Sequence, residues 1–345
     1  MISQIQKTVQ HNCDIADARY ASDFSLCIYL LKMREYYRWE AGKSYSESLS
    51  KEDVGLWLSD KEAQWDLLEN KELQTVGIND TEYDPYDADL INKELLKHNY
   101  VYSSGLGLYS RPHFVLAKLL KRIQQDEYTI YICGTELARD LPAPPAFSLN
   151  KNIFIRRDSV KRMIWEKIDE WRLQSNHNTA LERVFSQYDL NLDLDKALDS
   201  ITDLEIHSMT LHEIGEVHAA SVVGEQWHEM LDSLPRSQAN FMVRAVRDHI
   251  ADCYSTLPEL IRRSDKQSLH FYFGNFSSIR KEIFPGLMAA YNVAIENSDY
   301  SALENMVSKG YKHWADLAQE IIFVWEKNED QSVPLIETLV KESYL

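Results

Sequence analysis

Leu211-His212-Glu213-Ile214-Gly215-Glu216-Val217-His218 lies inside a run, 193–224, whose apolar residues recur at helical spacing. A helix advances about 100° per residue, so Glu216, Ala219, Val223, Met209 and Glu205 fall within roughly 60° of His212. The rest of that face is small or apolar, the composition of a surface packed against another helix. A bare carboxylate buried there costs several kcal/mol unless something compensates it. A metal ion is one compensation, because a helical His-x-x-x-Glu pair aims an imidazole nitrogen and a carboxylate oxygen at one point. An arginine, or a hydrogen bond within the pair, is the other, and it does nothing catalytic. His218, about 120° round from His212, faces a different surface.

Outward from this stretch the helical pattern persists. Helices are expected over 158–174, 177–186, 193–224, 236–264, 276–297, 301–327 and 332–343, with breaks at Gly224, Pro235, Pro258 and Pro334. Pro258 should end or kink its helix. Before residue 157 the texture changes. Segments 101–109, 128–133 and 152–157 cluster β-branched and aromatic residues between turn formers and read as strands, with a helix over 112–124 between the first two. Residues 14–41 read as one long helix, capped by Asp14 and ended by Gly42, and 45–98 as a polar elaboration anchored by Trp57 and Trp65. The expected fold is mainly α: a helical bundle with a small antiparallel β element in the middle of the chain. Its domains are an N-terminal α+β domain over 1–157 and a C-terminal helical bundle over 158–345.

The partner for the His212 helix is sought in Arg247-Asp248-His249-Ile250-Ala251-Asp252-Cys253. The apolar face of that helix is Val243, Val246, Ile250, Tyr254 and Leu257; His249 and Cys253 flank it, Asp252 is further round and Asp248 nearly opposite. An antiparallel pairing through 225–236 would bring His249 to His212 and Glu216, with Asp252 or Cys253 completing a set, as helical bundles build metal sites. Glu213 directly follows the first ligand, the place of the general base in His-Glu-x-x-His enzymes. Glu216 replaces that motif's second histidine and moves the preference from zinc towards manganese or iron(II). A ferritin-like di-metal oxidase would need two Glu-x-x-His pairs, and Glu225-Gln226-Trp227-His228 is the single example.

Composition bounds the remaining classes. The 345 residues are 44% hydrophobic, enough for a sizeable core and two domains. A formal charge of −17 repels phosphate backbones and anionic lipid, so nucleic acid is not an expected partner. The first ten residues lack an apolar signal region and no apolar run is long enough to span a bilayer, which places the protein in the cytoplasm. Cys13, Cys27, Cys133 and Cys253 have no CxxC spacing and read as reduced thiols. Gly105-Leu106-Gly107 lacks a third glycine and a βαβ frame, and there is no Gly-x-Ser-x-Gly elbow. Asp17, Glu35 and Arg38 extend the apolar stripe of the first helix and are expected to pair with each other or with neighbours, with Arg34 and Arg38 holding an anion as the alternative.

Taken together, Cys13-Asp14-Ile15-Ala16-Asp17-Ala18-Arg19, Leu141-Pro142-Ala143-Pro144-Pro145, Leu211-His212-Glu213-Ile214-Gly215-Glu216 and Arg247-Asp248-His249-Ile250-Ala251-Asp252-Cys253 resemble an uncharacterised family of conserved bacterial proteins. That resemblance implies a bacterial cytoplasmic protein and no assigned activity. From the residues themselves the expected function is a metal-dependent hydrolase acting on a small-molecule or peptide substrate. His212, Glu216, His249 and Asp252 would hold a divalent zinc, manganese or iron ion, with Glu213 as base. The competing expectation is a helical scaffold or regulatory protein in which the same residues form a buried polar network.

Overall fold

A computed structural model describes the chain apart from residues 108–110, 150, 174–178, 264, 277 and 329–330. Helices α1 (Ile2–Tyr20), α2 (Leu26–Glu40) and α3 (Lys51–Asp66) precede a hairpin, β1 (Val76–Ile78) and β2 (Thr81–Tyr83), and α4 (Ala88–Leu95). Strands β3 (Tyr100–Leu106), β4 (Pro112–Gln124), β5 (Thr129–Arg139), β6 (Ala146–Leu149) and β7 (Asn152–Arg156) follow. Then come α5 (Arg157–Leu173), α6 (Thr179–Phe185), α7 (Leu194–Val223), α8 (Glu225–Ser233) and α9 (Gln238–Ala251). The chain continues through α10 (Leu257–Arg262), α11 (Gln267–Asn275), α12 (Ser278–Ile283), α13 (Pro285–Asn297), α14 (Ser301–Asn328) and α15 (Ser332–Glu342). The described residues divide into two compact units, Met1–Lys167 with Asn191–Asp203, and Ile168–Leu190 with Leu204–Leu345.

The first unit overturns the expectation of a mainly α, or all-α, fold with a small antiparallel β element. Helix makes up 66% of the described residues, yet β3-β4-β5-β7-β6 form in that order a curled five-stranded sheet, so the fold is an α/β mix with a large β element. The sheet is mixed, since β5 and β7 run parallel while the other neighbours are antiparallel. The expected helix at 112–124 is β4, and its misreading has a cause. Phe114, Val115, Leu116 and Ala117 are all buried, which erases the alternation that marks a half-exposed strand. Ile5, Val9 and Cys13 of α1 cluster with Phe114 and Leu116, whereas Ala117 joins Tyr131, Cys133 and Phe154 in a separate cluster. Register shifts between Leu116 and Lys121 bend β4, as bulges do.

The expected helix over 14–41 is two helices. A short 3-10 turn, Ala21–Asp23, and extended backbone at Phe24 separate α1 from α2, and α1 starts at Ile2. Asp14 is therefore no cap. It is buried inside α1, accepting a hydrogen bond from Trp65 Nε1 at 3.3 Å beside Lys61, also 3.3 Å away. Asn79 and Asp80 both take left-handed φ between β1 and β2, the backbone a tight hairpin turn demands.

In the second unit no strand occurs among the described residues. Its core joins Ala219 and Val223 of α7, Trp227 of α8, Met242, Val246 and Ile250 of α9, and Trp314 of α14. The helix expected over 236–264 is interrupted just before Pro258. A π-helical turn, Asp252–Thr256, links α9 to α10 and leaves the proline in the first turn of α10, where its missing N–H goes unused. No helix of the described residues is long and apolar enough to cross a membrane.

Candidate metal centre

The site in the second unit starts from a glycine. A Cβ on Gly215 would overlap the main-chain carbonyl of Ala251, so α7 and α9 touch backbone to backbone at a crossing that only glycine permits. Gly215 lies between His212 and Glu216, and Ala251 between Asp248 and Asp252. The crossing therefore sets one polar turn against another. One ligand-capable atom each of His212, Glu216 and Asp248 lies within 4.8 Å of the other two.

The imidazole is aimed from behind. His212 Nδ1 is 2.8 Å from Asp252 Oδ1, while Tyr272 donates its hydroxyl to Asp252 Oδ2 at 2.8 Å and Arg280 pairs with the same oxygen. Asp252 starts the π-helical turn, a distortion that recurs where a helix must aim a functional group. Burial raises its carboxyl, but Arg280 and His212 outweigh that and hold it well below the usual carboxylate range. An ionised Asp252 accepts a hydrogen bond from Nδ1–H, which leaves His212 Nε2 as the nitrogen that could bind another partner once it gives up its proton. Burial lowers the His212 pKa, but Asp252, Glu216 and Asp248 reverse this and raise it to about 10.

Around the imidazole, acid is in surplus. Burial, opposed by Arg247 and His212 and reinforced by Asp248, raises the Glu216 carboxyl. Arg247 pairs with Glu216 Oε2, whereas Oε1 is buried with no hydrogen-bond partner. Glu213 is also buried, and burial pushes its carboxyl up to about 7. Arg280 Nε is 3.9 Å from Asp248 Oδ2, beyond hydrogen-bonding distance.

Of the residues expected to hold a metal, the structure brings together His212 and Glu216 and places the others differently. His249 is turned into the core. Its Nε2 donates to the Arg280 carbonyl at 3.1 Å and its ring stacks on Trp314 and meets Phe284 edge-on, while burial and Arg280 lower its pKa to about 3. The cause is angular: α9 presents its apolar face to the core, and α7 crosses the flank that carries Asp248. Asp252 supports His212 with both oxygens committed, and Cys253 is buried with its thiol pushed up by burial. Asp248, Tyr272 and Arg280 are the residues the sequence reading missed; an isolated glycine inside an amphipathic run was the available signal. His218 hydrogen-bonds Tyr311 through Nε2 at 2.8 Å and stacks on Tyr254. Glu225 and His228 belong to no metal-capable cluster among the described residues. In the first unit, Arg34 and Arg38 both donate to Glu35, at 2.8 and 2.9 Å, which is the ion-pair alternative rather than an anion pocket.

Residues 4–156 match the N-terminal domain, and residues 161–343 the C-terminal domain, of one family of unknown function, DUF6866. Nothing matches among curated proteins or solved structures. With both halves matched in order, the chain belongs to the DUF6866 family.

Proposed function

We propose that the protein is a metal-dependent hydrolase whose divalent cation is held by His212, Glu216 and Asp248. One observation carries the reading: three ligand-capable side chains lie within 4.8 Å of one another while Glu216 Oε1 is buried without a hydrogen-bond partner. The support around His212 fits it, because histidines that bind metals usually give their second N–H to a carboxylate, here Asp252. One nitrogen and two carboxylates suit zinc, manganese or iron(II). A bound divalent cation would lower the pKa of a coordinated water and polarise the scissile group. Glu213, with a carboxyl near neutrality, would take up the proton that such chemistry releases. A small-molecule or peptide substrate is the class this chemistry serves.

Metal analysis tests the proposal. Full-length protein incubated with zinc or manganese(II) and desalted should carry about one ion per chain, as a mononuclear site does. His212→Ala and Asp248→Ala should lose it while keeping their circular dichroism spectra. Glu213→Gln should keep the ion and lose whatever hydrolysis of the wild type a metal chelator abolishes. Folded wild type that retains neither ion would overturn the reading. A second reading would then take over: the pairing of Arg247 with Glu216 and of Arg280 with Asp252 favours a purely structural network that locks α7 to the α9 terminus.

A further inference from the structure

The curled sheet of the first unit holds a second cluster of reactive side chains. In the register of β3 and β4, Val101 faces Ala117, Ser103 faces Val115 and Gly105 faces His113, so these residues share one side of the sheet. Val101 and Ala117 pack on that side with Tyr131, Cys133 and Phe154. Ser103 and His113 are diagonal neighbours there, with Ser103 Oγ 3.2 Å from His113 Nε2. The imidazole stands edge-on to Phe147, ring centres 4.6 Å apart. Its other nitrogen, Nδ1, lies 3.5 Å from Oδ2 of Asp140, just beyond the end of β5. Both atoms of that last pair are buried and lack any other hydrogen-bond partner, so each is the other's natural complement.

Asp140 is fixed from its far side. Its Oδ1 accepts from the Ala143 N–H at 3.0 Å and lies 3.7 Å from Arg156 Nη1. Burial raises its carboxyl, but His113, Arg156 and that N–H outweigh burial and hold it down at about 2. It is therefore ionised near neutrality. An ionised Asp140 favours the tautomer with the proton on Nδ1 and leaves the Nε2 lone pair directed at the Ser103 hydroxyl. Ser103 also lines a partly open cavity of about 120 Å³, together with Ser104, Asn92, Leu149, Asn152 and Phe154. Gly105 lets Leu149, another residue of the cavity wall, pack against the strand, since a Cβ there would collide with it.

We propose that Ser103, His113 and Asp140 form a serine nucleophile site for short-chain acyl esters, separate from the metal centre and independent of any cation. Ser103 and His113 are the catalytic residues and Asp140 positions the imidazole. Ser103 Oγ bonds to the acyl carbon as its proton passes to His113 Nε2. The carbon–oxygen bond to the leaving alcohol breaks, and that oxygen takes the proton back from Nε2. Water then attacks the Ser103 ester by the same route, giving the carboxylic acid and restoring the hydroxyl. The small, partly open cavity points to a small acyl group such as acetyl as the part held beside Ser103.

Methanesulfonyl fluoride, small enough for that space, is the probe. It forms a serine–sulfur ester and releases fluoride. Intact-mass analysis of folded full-length protein should show one adduct, mapped to Ser103 and unaffected by a metal chelator. Ser103→Ala should give none, and Ser104→Ala, altered in the same cavity but away from His113, should label like wild type. His113→Ala should slow labelling about 100-fold or more, the range of a lost general base. Asp140→Asn should slow labelling and Asp140→Glu should restore part of the rate, a rescue that a merely structural aspartate would not show. Folded wild type without an adduct, an adduct that survives in Ser103→Ala, or a His113→Ala rate equal to wild type would overturn the proposal. The chelator arm keeps this outcome apart from the fate of the metal site.

Discussion

Glu136 in the first unit and Glu216 in the second are both buried carboxylates, and they meet burial in opposite ways. Glu136 accepts on Oε1 from Arg156 Nε and from the Ser159 hydroxyl, each at 2.8 Å; its Oε2, like Glu216 Oε1, is buried without a hydrogen-bond partner, but Arg139 Nη1 stands 4.0 Å from it. Burial raises its carboxyl, but the arginines win and it lies below the ordinary value. Glu216 has Arg247 on one oxygen and nothing on the other, Asp248 and Asp252 add negative charge, and its carboxyl is raised. Where the chain's own cations suffice, a buried acid is structural. Where acceptors outnumber donors, the interior is arranged to take up a positive charge from elsewhere, as a proton or an ion.

The largest effect expected from this contrast comes from breaking the network in which arginines outweigh burial. Arg156→Met removes the one guanidinium hydrogen-bonded to Glu136 and leaves that carboxylate stranded. Breaking a buried pair from one side costs about 3–5 kcal/mol, so the urea midpoint should fall sharply. A midpoint unchanged from wild type would refute the structural assignment of Glu136. The unsatisfied cluster should be more sensitive to its geometry than to its charge. Gly215→Ala forces a methyl into the Ala251 carbonyl and must push α7 from α9, a backbone shift that costs about 1–3 kcal/mol. It should also abolish metal retention although every ligand is intact. Wild-type stability and metal content in this variant would show that the close crossing is not what assembles the cluster.

The sequence was legible where periodicity and burial agree. Helices α7 and α14 have spans close to those read from spacing alone, whereas the single helix read over 236–264 is divided into α9 and α10 by the π-helical turn. It was illegible where burial is two-sided. Phe114 to Ala117 offered a run of apolar residues with no period, and length with a nearby proline tipped the reading to helix. In the candidate site, His212 and Glu216 stood out because they interrupt an aliphatic face. Asp248 did not, because a helix wheel ranks residues by distance from the apolar stripe, whereas a partner crossing at a glycine can meet the flank. Arg280 and Tyr272 reach Asp252 from 28 and 20 residues further along the chain, a proximity no local pattern encodes.

The finest test lies two turns before His212 on the same helix. Glu205 is buried and has no ion pair among the described residues; burial, opposed by Ser268 and Arg263, raises its carboxyl from 4.5 to about 8. Between those two pH values the unfolded chain releases a proton that the folded protein retains, so this group disfavours folding progressively as pH rises from about 4.5 to about 8, costs nothing below that window and carries its full penalty above it. Glu205→Gln, the isostere of the protonated acid, removes that dependence. At pH 5 it should melt close to wild type; at pH 8 it should melt higher, by a few degrees for a net gain of about 1 kcal/mol. The gain separates Glu205 from Glu136, whose conversion to glutamine should destabilise at the same pH because its charge is matched by Arg156. Equal responses from the two variants at pH 8 would mean that the units do not differ in how they compensate buried acid, and the case for a cation at His212 would lose its electrostatic basis.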